Sequence, residues 1–277
     1  MIFKNDVITS RSNPHVKWVA ALQLKKIRDK EKAFFIEGEK LTFEAIKNDL
    51  PLTRVYVSEG KADKIIPVLM KLDKSPVLDA CQVIILADGV FEKISTENAP
   101  QGVISVIKYL DFFDKLDIIY KENIIINADE RAIILSSIRD PGNLGAVIRS
   151  AVAFGVEHIY LSSDCADVYN PKTVRGAMGS LFRVKITKVS DLCDFIEMIK
   201  KCGRRVYAAE LRDGASSLSE IGLRQSDMFV IGNEGHGIPI EVSSSCTGSA
   251  FIPISANTES LNASVAAAVI MWEQSKL

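Results

Sequence analysis

The chain has 277 residues, of which 47% are hydrophobic and 25% charged, with a formal net charge of −1. That length suits two domains, and the composition excludes a chain too polar to bury a core. Near-zero charge also excludes a protein basic throughout, so any grip on nucleic acid must come from locally concentrated positive charge.

Such a concentration stands at the front. Residues 1–32 hold eight Lys and Arg (Lys4, Arg11, Lys17, Lys25, Lys26, Arg28, Lys30, Lys32) against three acids. No charge-free run of about 18 apolar residues is present, so no membrane span is expected. "MIFKNDVITSRSNPH" lacks the apolar stretch of a secretory signal, and the expected location is the cytoplasm. Five cysteines are scattered without a C-x-x-C pair, which argues against a disulfide framework or a zinc site. His15, His158 and His236 have no ligand spacing and read as surface or loop residues.

"NPHVKWVAALQLKKIRDKE" predicts a helix capped by Asn13 and opened by Pro14. "AFFIEG" follows as a strand, "EKLTFEAIKND" as a helix, "LTRVYVSE" as a strand and "ADKIIPVLMKL" as a helix. "QGVISVIKYL", residues 101–110, is the last strand of this front unit. Residues 111–130 are weakly patterned and read as a linker. From 131 to 277 the rhythm is regular: strand "AIILSSI", helix 143–154, strand "HIYLSS", helix "PKTVRGAMG", strand "FRVKI" and helix "DLCDFIEMIKKC". Strand "RVYAAEL", strand "MFVIG", a short helix near "PIEVSSSC", strand "AFIPI" and the long helix "SLNASVAAAVIMWEQSK" close it. Short apolar strands alternating with helices predict a parallel sheet covered on both faces. Ligands of such sheets sit beyond the carboxyl ends of the strands.

Three strand ends are unusual: "RDPGNLG", "IGNEGHGIP" and "IPISANTESLNAS". Each brings glycines or small polar residues to a strand-to-helix handover, and their repetition predicts one shared site. The P-loop, the G-x-G-x-x-G dinucleotide fingerprint and the G-x-S-x-G hydrolase elbow are all missing. Arg149 stands among the apolar positions of the helix after the first loop.

Taken together these loops resemble the SpoU/TrmH branch of the SPOUT RNA ribose 2′-O-methyltransferases. The motifs are Asn143, Gly145, Arg149, Phe154 and Gly155; then Gly232, Glu234 and Gly237; then Pro253 followed by Ser260, Leu261, Asn262, Ser264 and Ala266. The front half, in "SRSNPHVKWV", "FFIEGEKLTFEAI" and "PQGVISV", looks like the substrate-binding domain preceding that catalytic domain in many members. The resemblance implies an α/β fold: a parallel-sheet methyltransferase domain (131–277) with a C-terminal trefoil knot, after a small ribosomal-protein-like RNA-binding domain (1–110). It implies S-adenosyl-L-methionine as cofactor, no metal, and a homodimer acting on RNA. Large-subunit (23S) ribosomal RNA is the preferred substrate, with transfer RNA or a non-catalytic RNA-binding role as alternatives. It implies Arg149, Asn143, Glu234 and Asn262 as catalytic residues and Ile231, Gly232, Ile252, Leu261 and Ala263 around the cofactor. Arg175, Arg183 and Ser260 fall on the substrate side. Asn143 suits the N-cap of its helix and is expected to orient Arg149 or the ribose.

Overall fold

The computed structural model describes residues 1–72, 78–110, 130–255 and 257–277, without the side chains of residues 3–5. The expected linker lies outside them apart from Glu130. The chain forms two compact units. The first is Met1–Leu110 together with Tyr169–Phe182; the second is residues 130–168 together with Arg183–Leu277.

The first unit holds strands β1 (Ile2–Ile8), β2 (Ala33–Glu37), β3 (Leu52–Ser58), β4 (Gln82–Leu86) and β5 (Val103–Lys108). Its helices from the front of the chain are α1 (Pro14–Ala21), α2 (Lys25–Glu31), α3 (Glu39–Lys47), α4 (Ala62–Lys71) and α5 (Asp88–Ile94). The sheet runs β1-β4-β3-β5-β2. β1 and β3 flank β4 in parallel, and β5 is antiparallel to both β3 and β2. β1, β4 and α5 were not among the elements the sequence predicted. "IFKNDVI" carries three polar residues in seven and reads as a loop, yet main-chain pairing with β4 holds it at the sheet edge.

Residues 13–31, expected as one helix, are two. Asn13 caps α1 through His15 N at 2.9 Å. The chain then turns at Leu22–Leu24, and Arg28 explains how the turn is held. Its guanidinium, 1% exposed, donates to Leu22 O and Gln23 O, each at 2.7 Å. Helix-end carbonyls lack partners within the helix, and a buried cation satisfies them here. Arg28 is therefore spent on the fold, unlike the exposed Lys17, Lys26 and Lys30 around it.

The second unit holds β6 (Ala132–Leu135), β7 (His158–Ser162), β8 (Lys185–Val189), β9 (Val206–Ala209), β10 (Ser216–Ser217), β11 (Met228–Ile231) and β12 (Gly248–Phe251). The rear helices are α6 (Pro141–Ala153), α7 (Pro171–Ala177), α8 (Leu192–Lys201), α9 (Ile240–Ser245) and α10 (Ala263–Gln274). Of these, α7 belongs to the first unit and packs on β2. With α2 and α3, which also pack on it, this cover leaves all five residues of the edge strand buried. Tyr169, just ahead of α7, stacks on Tyr109 at 4.1 Å and meets Phe34 at 4.4 Å.

The second sheet is parallel throughout, in the order β10-β12-β9-β11-β6-β7-β8. Leu192, Phe195, Ile196 and Ile199 of α8 pack with Tyr160, Val206 and Val230 in one core cluster. α10 and α6 pack together, with α10 also against β11. The strand expected over "FRVKI" begins three residues later, at Lys185, and β12 ends at Phe251, before Ile252. His158, expected at the surface, is a strand residue. It stacks on Tyr160 at 4.1 Å and bonds Thr187 Oγ1 at 2.8 Å and Glu130 Oε2 at 3.3 Å.

Candidate active site

The strand order explains why distant loops meet. β6 and β11 are neighbours, and β9 alone separates β11 from β12. Their carboxyl ends therefore carry "RDPGNLG", "IGNEGHGIP" and "IPISANTESLNAS" to one edge of the second unit, where open parallel sheets bind ligands.

The first loop ends in α6, 13 residues long. Its N-cap is Asp140, whose Oδ1 accepts from Asn143 N at 2.8 Å, with Pro141 at the first helical position. The expectation that Asn143 caps this helix is thus corrected: Asp140 takes that role and frees the Asn143 amide to reach outward. Asn143 Nδ2 donates to Glu234 Oε1, and Asn143 Oδ1 accepts from Asn262 Nδ2 at 3.1 Å. Asn262 in turn caps α10, its Oδ1 accepting from Ser264 N at 2.9 Å and Ser264 Oγ at 2.6 Å. The amides of the first and third motif loops and the carboxylate of the second form a directed chain from Asn262 through Asn143 to Glu234.

The second loop is held by its own backbone. Asn233 N donates to Gly237 O at 3.1 Å and Gly237 N returns a bond to Asn233 O at 2.9 Å. A Cβ on Gly232 would stand 2.5 Å from Gly237 C, so this glycine is needed by the neighbouring main chain. Asn233 Nδ2 also donates to Ser137 O at 2.9 Å, tying the second loop to the first. Ser137 holds a left-handed backbone, φ 59°, and its hydroxyl donates to Asp164 Oδ2 at 2.7 Å. Burial works against ionisation of Asp164, but hydrogen bonds from Ser162, Ser137 and Arg139 outweigh it and hold the carboxyl below the usual range.

Arg149 lies on the exposed side of α6, between buried Ile148 and half-buried Ser150. Among the described residues it makes no hydrogen bond or ion pair. Asn143 does not orient it, contrary to one of the alternatives expected. Helical neighbours Leu144, Val147, Ile148 and Ala151 fill the core instead. An exposed arginine with no partner is available to an external anion.

A cleft of about 170 Å³ opens at the ends of β9 and β12. Ala209, Leu211, Ala250, Ile252, Ile254, Leu261 and Ala266 give it aliphatic walls, and Glu210, Glu259 and Ser260 give it polar groups. Of the residues expected near a cofactor, Ile252 and Leu261 line this cleft; Ser260, expected on the substrate side, lines it too. Ile231 and Ala263 are buried, 2% and 4% exposed, and with Gly232 can offer main-chain groups only. The Ile231 carbonyl already accepts from Ser136 N at 2.8 Å. Glu210 and Leu211 were missed. The signal was a charged residue directly after the apolar "VYAA", a fourth strand end between two already singled out.

Arg183 is exposed and lies in the second unit. Arg175 lies on α7 in the first unit and is engaged there. It donates to Thr96 Oγ1 at 2.7 Å and Thr96 O at 3.2 Å, and its Nε lies 3.4 Å from Glu97 Oε1. Glu37, 8% exposed, accepts from Thr96 N at 2.9 Å in the same network. Among the described residues no helix is long and apolar enough to cross a membrane.

Residues 130–272 match the SpoU rRNA Methylase family, and residues 13–105 match the MRM3-like substrate binding domain. A 23S rRNA (guanosine(2553)-2′-O)-methyltransferase of Bacillus subtilis is 30% identical over 265 residues, 96% of this chain and 97% of its own. A 23S rRNA (uridine(2479)-2′-O)-methyltransferase of Streptomyces viridochromogenes is 27% identical, over 96% of this chain and 90% of its own. The AdoMet-bound crystal structure of an rRNA methyltransferase from Sinorhizobium meliloti has a TM-score of 0.82 at 28% identity, covering 99% of this chain and 98% of that one.

Proposed function

The chain belongs to the SpoU rRNA methylase family, and on that footing we propose that it transfers a methyl group from S-adenosyl-L-methionine to a ribose 2′-hydroxyl of 23S ribosomal RNA. The observation that carries this reading is the Asn262–Asn143–Glu234 chain, which joins the three motif loops on the unit that presents Arg149. The rRNA preference rests on what the two curated relatives methylate.

The cleft fits the cofactor. Aliphatic walls at Ile252, Leu261 and Leu211 suit an adenine face, while Gly232 follows β11, the strand beside β9, and Ala263 opens α10 two residues after Leu261. Bound there, S-adenosyl-L-methionine supplies an electrophilic methyl on a sulfonium whose leaving group departs neutral. The protein must then hold the hydroxyl in line and ease the loss of its proton. A guanidinium keeps its proton and is a poor base, so Arg149 serves as a fixed positive charge for the developing alkoxide. The proton leaves to solvent or to an RNA phosphate. Asn143 and Asn262 keep the loops in register, and Glu234 is the end of their chain. Arg183 and Ser260 serve the RNA side. Arg175 does so only by leaving Thr96 and Glu97.

Two further readings accompany this one. Val265, Trp272 and Leu277 are 48%, 49% and 57% exposed on and after α10, an apolar face that a second copy of the chain would cover. β12 lies between β9 and β10, strands that precede it in sequence, which supports the threaded C-terminus the family implies.

The test is incubation with tritiated S-adenosyl-L-methionine and RNA from a host lacking the protein, followed by fractionation. Label in large ribosomal RNA, resistant to alkali at one dinucleotide, is expected. Label in transfer RNA would overturn the substrate and keep the chemistry. No label, with no cofactor binding, would leave a non-catalytic RNA-binding protein.

A further inference from the structure

Glu210 stands at the carboxyl end of β9 in the wall of the cleft. Its bonds are one-sided. Oε1 takes Ser249 Oγ at 2.8 Å, Arg212 Nη1 at 3.3 Å and Ser243 Oγ. Arg212 also donates to Ser243 Oγ at 2.6 Å, so the group around Oε1 is braced from β12, α9 and the loop after β9. Among the described residues Oε2 has no partner. A carboxylate held rigidly by one oxygen, with the other unmatched in a mostly apolar cleft whose other polar side chains are Glu259 and Ser260, is built to accept. The two serines do not require a charge, since a neutral acceptor would serve Ser243 and Ser249 equally; Arg212 is the one partner that uses it, and only through Oε1.

We infer that Glu210 is a cofactor-binding residue whose free oxygen accepts from the ribose hydroxyls of the adenosyl group. The inference rests on the reading of this cleft as the cofactor site. The charge arrangement selects the diol over the other donor of that ligand, its α-ammonium. Arg212 already shares the carboxylate, so the pair attracts a further cation weakly, while a neutral hydroxyl pair gains a charge-assisted acceptor. Leu211, 78% exposed beside it, then supplies a face for the attached base.

The experiment is calorimetric titration of the full chain with S-adenosylhomocysteine, with an analogue lacking both ribose hydroxyls, and with one lacking the α-amino group. Glu210→Ala is expected to weaken S-adenosylhomocysteine and the des-amino analogue roughly ten- to a hundred-fold, and the dideoxy analogue less than about three-fold. Should Glu210→Ala fail to fold, Glu210→Gln keeps an oxygen for the two serines. It is expected to weaken only the hydroxyl-bearing ligands, by about three- to ten-fold. Equal weakening of all three ligands overturns the inference. So does weakening that vanishes only with the des-amino analogue, which would make the ammonium the partner. Wild-type protein that binds no ligand sinks the parent reading and the inference with it. Tight wild-type binding that neither variant changes sinks the inference alone.

Discussion

Gly232→Ala isolates a steric demand from a conformational one. The backbone at Gly232 lies outside the left-handed region, so alanine carries no dihedral strain there. By restricting the unfolded chain it would even add about 0.4–1 kcal/mol of stability. Against that, the new Cβ would lie 2.5 Å from Gly237 C, 2.6 Å from Gly237 O and 2.7 Å from Ile238 Cγ1, where ordinary contact begins near 3.4 Å. Overpacking costs about 1–3 kcal/mol when neighbours can adjust. Here the nearest atoms are main chain, locked by the paired Asn233–Gly237 bonds at 3.1 and 2.9 Å. Loosening one of those adds about 1 kcal/mol. The net loss should be about 2–3 kcal/mol, or roughly 4–12 °C in the midpoint of the second unit. Gly235→Ala is the control in the same loop, because its Cβ would meet nothing closer than Asn233 Oδ1 at 3.4 Å. It should stay within about 0.5 kcal/mol of wild type. Urea unfolding followed by circular dichroism reads both, with S-adenosylhomocysteine affinity as the local readout. A Gly232→Ala midpoint equal to wild type, or a Gly235→Ala loss as large, would refute the steric argument.

Arg149→Ala should leave stability within about 0.5 kcal/mol, since the exposed side chain makes no hydrogen bond or ion pair among the described residues, while methyl transfer drops at least about a hundred-fold. If Arg149→Lys recovers activity only at high pH, base action rather than fixed charge is indicated. Asn143→Asp sets a carboxylate against Glu234 and removes the donor, so kcat/KM should fall about ten-fold or more. Adding Glu234→Gln should restore part of that loss, and a strictly additive double mutant would argue against the amide chain. Arg28→Leu should destabilise the first unit by about 2–4 kcal/mol, because two carbonyls lose their buried donor. The salt slope of RNA binding should not change if the residue makes no phosphate contact. Burial outweighs the pull of Glu130 and holds the His158 imidazole below its usual range. Its neutral form is therefore the folded one, so stability is full above the ordinary value of about 6.5 and declines as pH falls below it. His158→Gln should flatten the urea midpoint between pH 5 and pH 7; an unchanged slope would contradict this.

The alternation of short apolar runs with helices was legible in the second unit because a doubly covered parallel strand must be apolar throughout. The three polar strand ends were legible for the complementary reason, since a site interrupts that rule. What the sequence hid depends on long-range pairing. β1 has a polar middle and becomes a strand only against β4, whose residues pair with it in the register Ile2–Gln82 to Ile8–Leu86. Arg28 reads as one more surface cation until the turn at Leu22 closes over it. Asn143 and Asp140 are both good caps three residues apart, and only the helix start decides between them. Glu210 looked ordinary because the strand order, which sets β9 between β11 and β12, was not yet known.

Tyr169–Phe182 folds with the front of the chain although both of its flanks belong to the rear unit. The polypeptide therefore leaves the rear unit at Val168 and returns to it at Arg183. A cut anywhere in residues 111–130 would not yield two separable pieces. Residues 1–110 expressed alone would lose Tyr169 from the stack on Tyr109 and Phe34, and the donor on Leu110 N would lose its acceptor, the Tyr169 hydroxyl at 2.9 Å. The naked front piece should aggregate or bind hydrophobic dyes, and adding a 169–182 peptide should quench that binding. The same interleaving bears on inheritance. A front module swapped in from a relative arrives without the segment that seals it, so recombination at the linker alone would be selected against. A transplanted front module should fold only when residues 169–182 are exchanged with it.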